Sequence, residues 1–149
     1  MASKRKLIID AAITALEAIK KSSGYNTDIQ SVFRGLKYLE DVSKDKMPCV
    51  CFAGLKETRK NINKPQFQAA ITVTLVGYVS VEDGTDSLQT TLDDFIEDVT
   101  KALETDRTFN FLTLWNEIQT IETDRGDIEN TGAFAMTVVF HYASAGVTP

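Results

Sequence analysis

Cysteine, histidine and proline are scarce in this chain: two, one and three among 149 residues. Two cysteines cannot staple a secreted mini-domain, so the composition points to a reducing compartment, the cytosol by default. The lone histidine, His141, leaves a histidine-based metal site without a second imidazole, and structural zinc sites ask for four ligands at defined spacing. No apolar run approaches the roughly 18 residues that a membrane helix needs. Lys4-Arg5-Lys6 leads into an amphipathic pattern, not the plain apolar stretch of a secretory signal. The eight glycines stand singly, so there is no glycine-rich phosphate loop, and none flanks a serine as a nucleophile elbow requires.

Basic residues are scarce in one half only. Residues 1–64 carry thirteen Lys and Arg against seven acids, and residues 65–149 carry three against fourteen, so net charges of +6 and −11 make up the total of −5. An overall acidic chain is a poor candidate for a dedicated nucleic-acid binder. The asymmetry fits two readings: the halves neutralise each other inside one fold, or a basic face meets the acidic face of the next copy in a head-to-tail contact. Hydrophobic residues at 43% and charged residues at 25% are ordinary globular values, which excludes disorder as the main state. The length suits one domain over 1–149, with or without an arm.

Hydrophobic spacing supplies the elements. Ile8, Ile9, Ala12, Ile13, Ala15, Leu16 and Ile19 form one broad stripe, predicting an amphipathic helix over about 4–21 that stops at Ser22-Ser23-Gly24. Ile29, Val32 and Phe33 suggest a short strand, and 41–46 a charged loop. A second strand over 49–53 follows Pro48. Residues 54–65 read as a basic polar excursion with Lys56, Arg59, Lys60 and Lys64. From Phe67 the odd positions are apolar or glycine through Val81, and the even positions are mostly polar. That is period two held over about fifteen residues, longer than most strands. Either Gly77 marks a bulge or bend, or one end leaves the globule as half of an extended hairpin whose tip or loop is about 54–66. Asp86 and Gln89 make a capping pair before a second helix, with Leu88, Leu92, Phe95, Val99 and Leu103 as its apolar stripe and Asp93, Asp94, Glu97, Asp98 and Lys101 as its wet face. A strand over 115–123, a turn at Asp124-Arg125-Gly126-Asp127 and an alternating strand over 133–142 complete the chain. Short connections between near neighbours imply an α+β fold: a mostly antiparallel sheet with two main helices packed on one face.

Catalytic groups are hard to find. Cys49-Val50-Cys51 places two thiols on one side of a strand, where small buried residues are common. The carboxylates at Asp93-Asp94 and Glu97-Asp98 lie on a solvated helix face, with nothing to raise a pKa for acid catalysis. Phe33-Arg34 and Lys37-Tyr38 are the extent of basic–aromatic interleaving, a weak nucleic-acid signal. The residues point to no enzyme, no cofactor and no metal.

The order of these features resembles the tail terminator proteins of long-tailed bacteriophages. The likeness rests on the opening helix from Lys4 to Gly24, on Gly24-Tyr25-Asn26-Thr27-Asp28-Ile29 with Val32 and Gly35, and on the charged stretch into Asp45-Lys46-Met47-Pro48. It continues through the long alternating strand from Gln66, the acid-rich helix closing on Ala102-Leu103-Glu104-Thr105-Asp106, and the final strands ending at His141-Tyr142. Where sequences of this family are often glycine-rich after the second helix, this chain has Phe109-Asn110-Phe111-Leu112. The resemblance implies a small α+β domain that forms a sixfold ring. The ring would cap the finished tail tube, stop its polymerisation and offer a docking surface to the head-side connector or neck protein, with no catalysis. It also implies a place in the virion tail, contact with the tail tube protein and with a sheath protein where one exists, and DNA passing through the lumen without specific binding. On this reading Lys56, Arg59, Lys60 and Lys64 meet acidic groups of the next subunit or the tube, or else line the lumen, and Asp93, Asp94, Glu97 and Asp98 form an acidic interface. The alternatives are another neck or tube component, a small cytosolic ligand-binding or catalytic α+β domain, and an adaptor using the acidic helix face.

Overall fold

The computed structural model describes residues 3–63, 66–81, 85–105, 109, 113–128 and 130–145; the side chains of 39, 61–63, 66, 85–87, 124–128 and 144–145 lie outside that description. The first helix, α1 (Lys4–Glu17), is capped by Ser3, whose hydroxyl accepts from the Lys6 amide, and it buries Ile8, Ile9, Ala12 and Leu16. It ends earlier than its stripe predicts. The Ile19 amide bonds back to Leu16, a tighter turn than the α-helix allows, and the Ile29 amide donates to the Ile19 carbonyl. Burying Ile19 therefore takes the chain out of the helix and into a separate 3-10 turn, Lys21–Ser23. Gly24 closes that turn in the left-handed region, at φ 92°, which glycine adopts without strain.

Five strands form one sheet in the order β1-β2-β3-β5-β4, from β1 (Ser31–Phe33), β2 (Cys49–Asn63), β3 (Gln66–Ser80), β4 (Trp115–Ile128) and β5 (Thr131–Ala145). β1 runs parallel to β2, and every other pair is antiparallel. The second helix, α2 (Thr85–Thr105), lies between β3 and β4 in sequence. Both helices cover the same face. Ile71, Val73, Leu75, Phe134, Met136, Val138 and Phe140 join Leu88, Leu92, Phe95, Val99, Ile8 and Leu16 in one core, as the α+β reading expects. On the opposite face a smaller cluster of Val42, Met47, Cys49, Cys51 and Tyr78 forms under the segment before β2. Beyond it no helix among the described residues covers that face, where Gln68, Ala70, Thr72, Thr74, Ala135, Thr137 and Ala143 are half-buried.

Four expectations need correction. The 54–65 segment is not an excursion: β2 continues through Asn63, paired with β3 nearly to its start. The hairpin is as long as predicted, but β5 runs beside β3 from Gln66 to Ser80, so it is no free two-stranded arm, and Phe67 and Ala69 near its tip are buried. Asp124-Arg125-Gly126-Asp127 has turn composition yet its backbone stays in β4. A register shift between Arg125 and Ile128 absorbs the irregularity, and the reversal comes at Asn130, at φ 62°. Gly77 marks no bulge, since its pairing with Val50 and Phe134 is regular. A Cβ there would stand 2.1 Å from Phe134 Cε1; the glycine makes room for that ring. The Asp86 cap and Lys64 fall outside the described side chains.

Candidate functional site

Of the predicted basic residues, Lys56, Arg59 and Lys60 sit on β2, and a β-bulge decides which way they face. Ahead of it Val50 and Phe52 belong to the helix-side core, and Cys49 and Cys51 to the other face. Phe52 pairs with Leu75 and Gly54 with Thr74, leaving Ala53 as the extra residue. Past the bulge the odd positions Leu55, Glu57 and Arg59, opposite Val73, Ile71 and Ala69, face the helices. Lys56 and Lys60, opposite Thr72 and Gln68, therefore lie on the bare face, where both are exposed.

Arg59 is engaged within the chain. Its Nε donates to Glu57 at 2.7 Å, and its guanidinium lies 4.5 Å from the centre of the Phe67 ring. Glu57 also accepts from the Tyr142 hydroxyl at 2.8 Å. Burial raises the Glu57 pKa, but the hydrogen bonds from Arg59 and Tyr142 outweigh it and hold the carboxyl below its ordinary value. Burial, and then the bond to Glu57, pushes the Tyr142 phenol up to about 12.

β1 pairs with β2 at 49–51 alone. The outer edge of β2 beyond Cys51 therefore has no partner strand among the described residues. A groove of about 600 Å³ opens beside its first residues, lined by Phe52, Gly54 and Leu55, by Arg34 and Leu36, and by Arg5 and Lys6 of α1. Arg34 is paired with Asp10. Lys4, Arg5 and Lys6 occupy the first turn of α1 without an acid among them, where the helix dipole disfavours cations. An acidic group brought to this groove would relieve that repulsion.

The acidic set divides. On α2, Asp93 and Glu97 are exposed and Asp94 is half-buried. Asp98 is 1% exposed. Its carboxylate accepts from the Asn26 and Thr27 amides, both at 2.9 Å, and from the Thr27 hydroxyl. Placing Asp98 on the wet face is thus corrected: it anchors the loop before β1. Lys101 works beside it, donating to the Gly24 carbonyl at 3.0 Å and lying over the Tyr25 ring. Among the described residues no ion pair joins Lys56 or Lys60 to the acids of α2.

Two acids that the sequence reading passed over occupy the other edge. β4 is the terminal strand of the sheet. Its Ile118 pairs with Val138 and Thr120 with Thr137, so Gln119 is bulged. The bulge puts Ile118 and Ile121 on the helix side, opposite Val138 and Met136, and Glu117 and Glu122 on the bare face, opposite Val139 and Ala135. Both acids are exposed, and Glu117 lies 3.4 Å from His141 Nε2. His141 stacks on Trp115 at 4.1 Å between ring centres. A signal for both bulges was present in the sequence: Phe52 and Leu55, like Ile118 and Ile121, are apolar residues three apart in a strand, which share a face only if one residue is extra.

Cys49 and Cys51 are buried free thiols. The neighbouring Cys51 thiol, with burial, raises the Cys49 pKa, and Cys49 in turn lowers that of Cys51. Among the described residues no group of three or more His, Cys, Asp or Glu could hold a metal ion, and no helix is long and apolar enough to cross a membrane. No protein-family model matches the chain, and no curated protein sequence matches it.

Proposed function

We propose that this protein is a ring-forming structural component of a long-tailed phage, a tail terminator that caps the tail tube and presents a docking surface to the head-side connector. The observation that carries the reading is the placement of charge on one sheet: lysines on the open edge of β2, glutamates on the open edge of β4. Two different, complementary surfaces on one chain favour a heterologous contact, and such contacts close into rings when the rotation allows. The pattern of elements that resembles the terminator family supports the same reading. The work it names requires no active site. Contacts with tube, neck and sheath proteins, a sixfold count and a place in the virion belong to this proposal.

A second reading rests on the groove beside β2, whose cations suit a small anionic ligand. Native mass spectrometry at low and high salt separates the two. A closed oligomer near six copies, loosened by salt, is the expected result. A strict monomer, both alone and with purified tube ends, would sink the ring and leave the ligand reading.

A further inference from the structure

We propose that the outer edge of β2 receives the free edge of β4 from a second copy of this chain, antiparallel, with Lys60 opposite Glu117 and Lys56 opposite Glu122. The proposal rests on the ring-forming reading and names the surfaces that would make the ring.

Three features of the sheet carry it. The first is direction. Consecutive neighbours from β2 to β4 are antiparallel, so β2 and β4 run oppositely, and a copy added at the edge in the same orientation continues the alternation. The second is face. Lys56 and Lys60 lie on the bare side of β2, and Glu117 and Glu122 on the bare side of β4, so edge-to-edge addition puts all four on one surface.

The third is spacing. Lys56 and Lys60 sit opposite Thr72 and Gln68, four residues apart on β3. Glu117 and Glu122 are five apart in sequence, but Gln119 is bulged, and they sit opposite Val139 and Ala135, four apart on β5. The two ladders match, and both pairs form in a single register. Cross-strand pairs of opposite charge stabilise such a junction, and like charges oppose it. The same register sets Thr58 against Thr120 on the bare face, and on the helix side it brings Ile121 beside Glu57 and near Leu55. Leu55 and Ile121 are 44% and 43% exposed in the single chain; the junction would cover both. Its occupant is a copy of this chain and not an unrelated acidic peptide because the charges, the spacing and the strand direction are all supplied by β4.

Charge exchange tests it. The K56E/K60E variant has two acidic edges, and E117K/E122K two basic ones. Each alone is expected to need at least about tenfold more protein to assemble than the parent. A 1:1 mixture is expected to recover the parent's oligomer mass, because every junction in it is again complementary. If either variant assembles like the parent, or the mixture fails to recover, edge pairing is overturned while the ring reading stands. If the unaltered chain never assembles, even on tube ends, both fall. A second measurement does not depend on reversed charges: the T58C/T120C chain, oxidised at low salt, is expected to give a ladder of disulfide-linked multimers that neither single variant gives. Absence of the ladder in assembled protein overturns the register.

Discussion

β2 and β3 are the two arms of one hairpin, each fifteen residues long, and they live in different surroundings. β3 has a partner strand along both edges, and its odd side chains from Phe67 to Leu75 are 5% exposed or less. β2 is partnered along one edge for most of its length, takes a bulge at Ala53, and carries its charges beyond it. An interior strand cannot add a residue without disturbing two ladders at once. An edge strand disturbs one, and it also has backbone groups to protect from chance pairing, which bulges and lysines do. Irregularity and charge are thus concentrated on β2 by its position, and so is any capacity to accept a further strand.

The contrast can be probed by truncation. Ile71→Ala on β3 is expected to cost about 2–5 kcal/mol, and Leu55→Ala on β2 less than about 1 kcal/mol, because Leu55 is already half in water; urea unfolding of the monomer compares them. Equal losses would mean that β2 is packed as tightly as β3.

Single deletions within β2 give a smaller, sharper effect. Removing Ala53 leaves the pairing of Gly54 and all that follows unchanged, so it should shift stability by less than about 1 kcal/mol. Removing Thr58 turns Arg59 away from Glu57 and the Phe67 ring and should lower the urea midpoint further than the Ala53 deletion does. If the Ala53 deletion is the more damaging of the two, Ala53 is not the extra residue of β2.

The smallest effect is a pH dependence. Tyr142 ties β5 to Glu57 of β2, and burial holds its phenol and that of Tyr78 at about 12. Between pH 10 and 12 the folded chain keeps two protons that the unfolded chain has released, so stability is full below 10 and falls as pH rises through that window. Denaturation midpoints at pH 9 and 11.5 measure the fall, and Tyr142→Phe should make it shallower.

Legibility in the sequence follows the same division. β3, β5 and α2 were readable because one period holds from end to end: Phe134, Met136, Val138, Phe140 and Tyr142 all reach the core, as do Leu88, Leu92, Phe95, Val99 and Leu103. β2 reads short because a bulge at Ala53 resets the alternation, so that one parity followed along the strand takes the rest for loop, whereas β4 reads short because Asp124-Arg125-Gly126-Asp127 has the composition of a turn. Asp98 escapes local pattern for another reason. It shares a helix turn with exposed acids, and its partners, Asn26 and Thr27, lie some seventy residues away, beyond any local pattern. The basic residues were found, but the facing that gives Lys56 and Lys60 a direction and occupies Arg59 within the chain depends on a bulge and on tertiary neighbours.

β1, three residues long, acts as an end-stop. It occupies the outer edge of β2 at 49–51 and leaves 54–63 as track that no strand among the described residues occupies. A strand laid on that track can slip in steps of two residues without turning its side chains over. Slippage toward Ser31–Phe33 runs into β1, so errors of alignment are open in one direction only. The shortest strand of the sheet thereby limits how many ways a longer one can be joined wrongly.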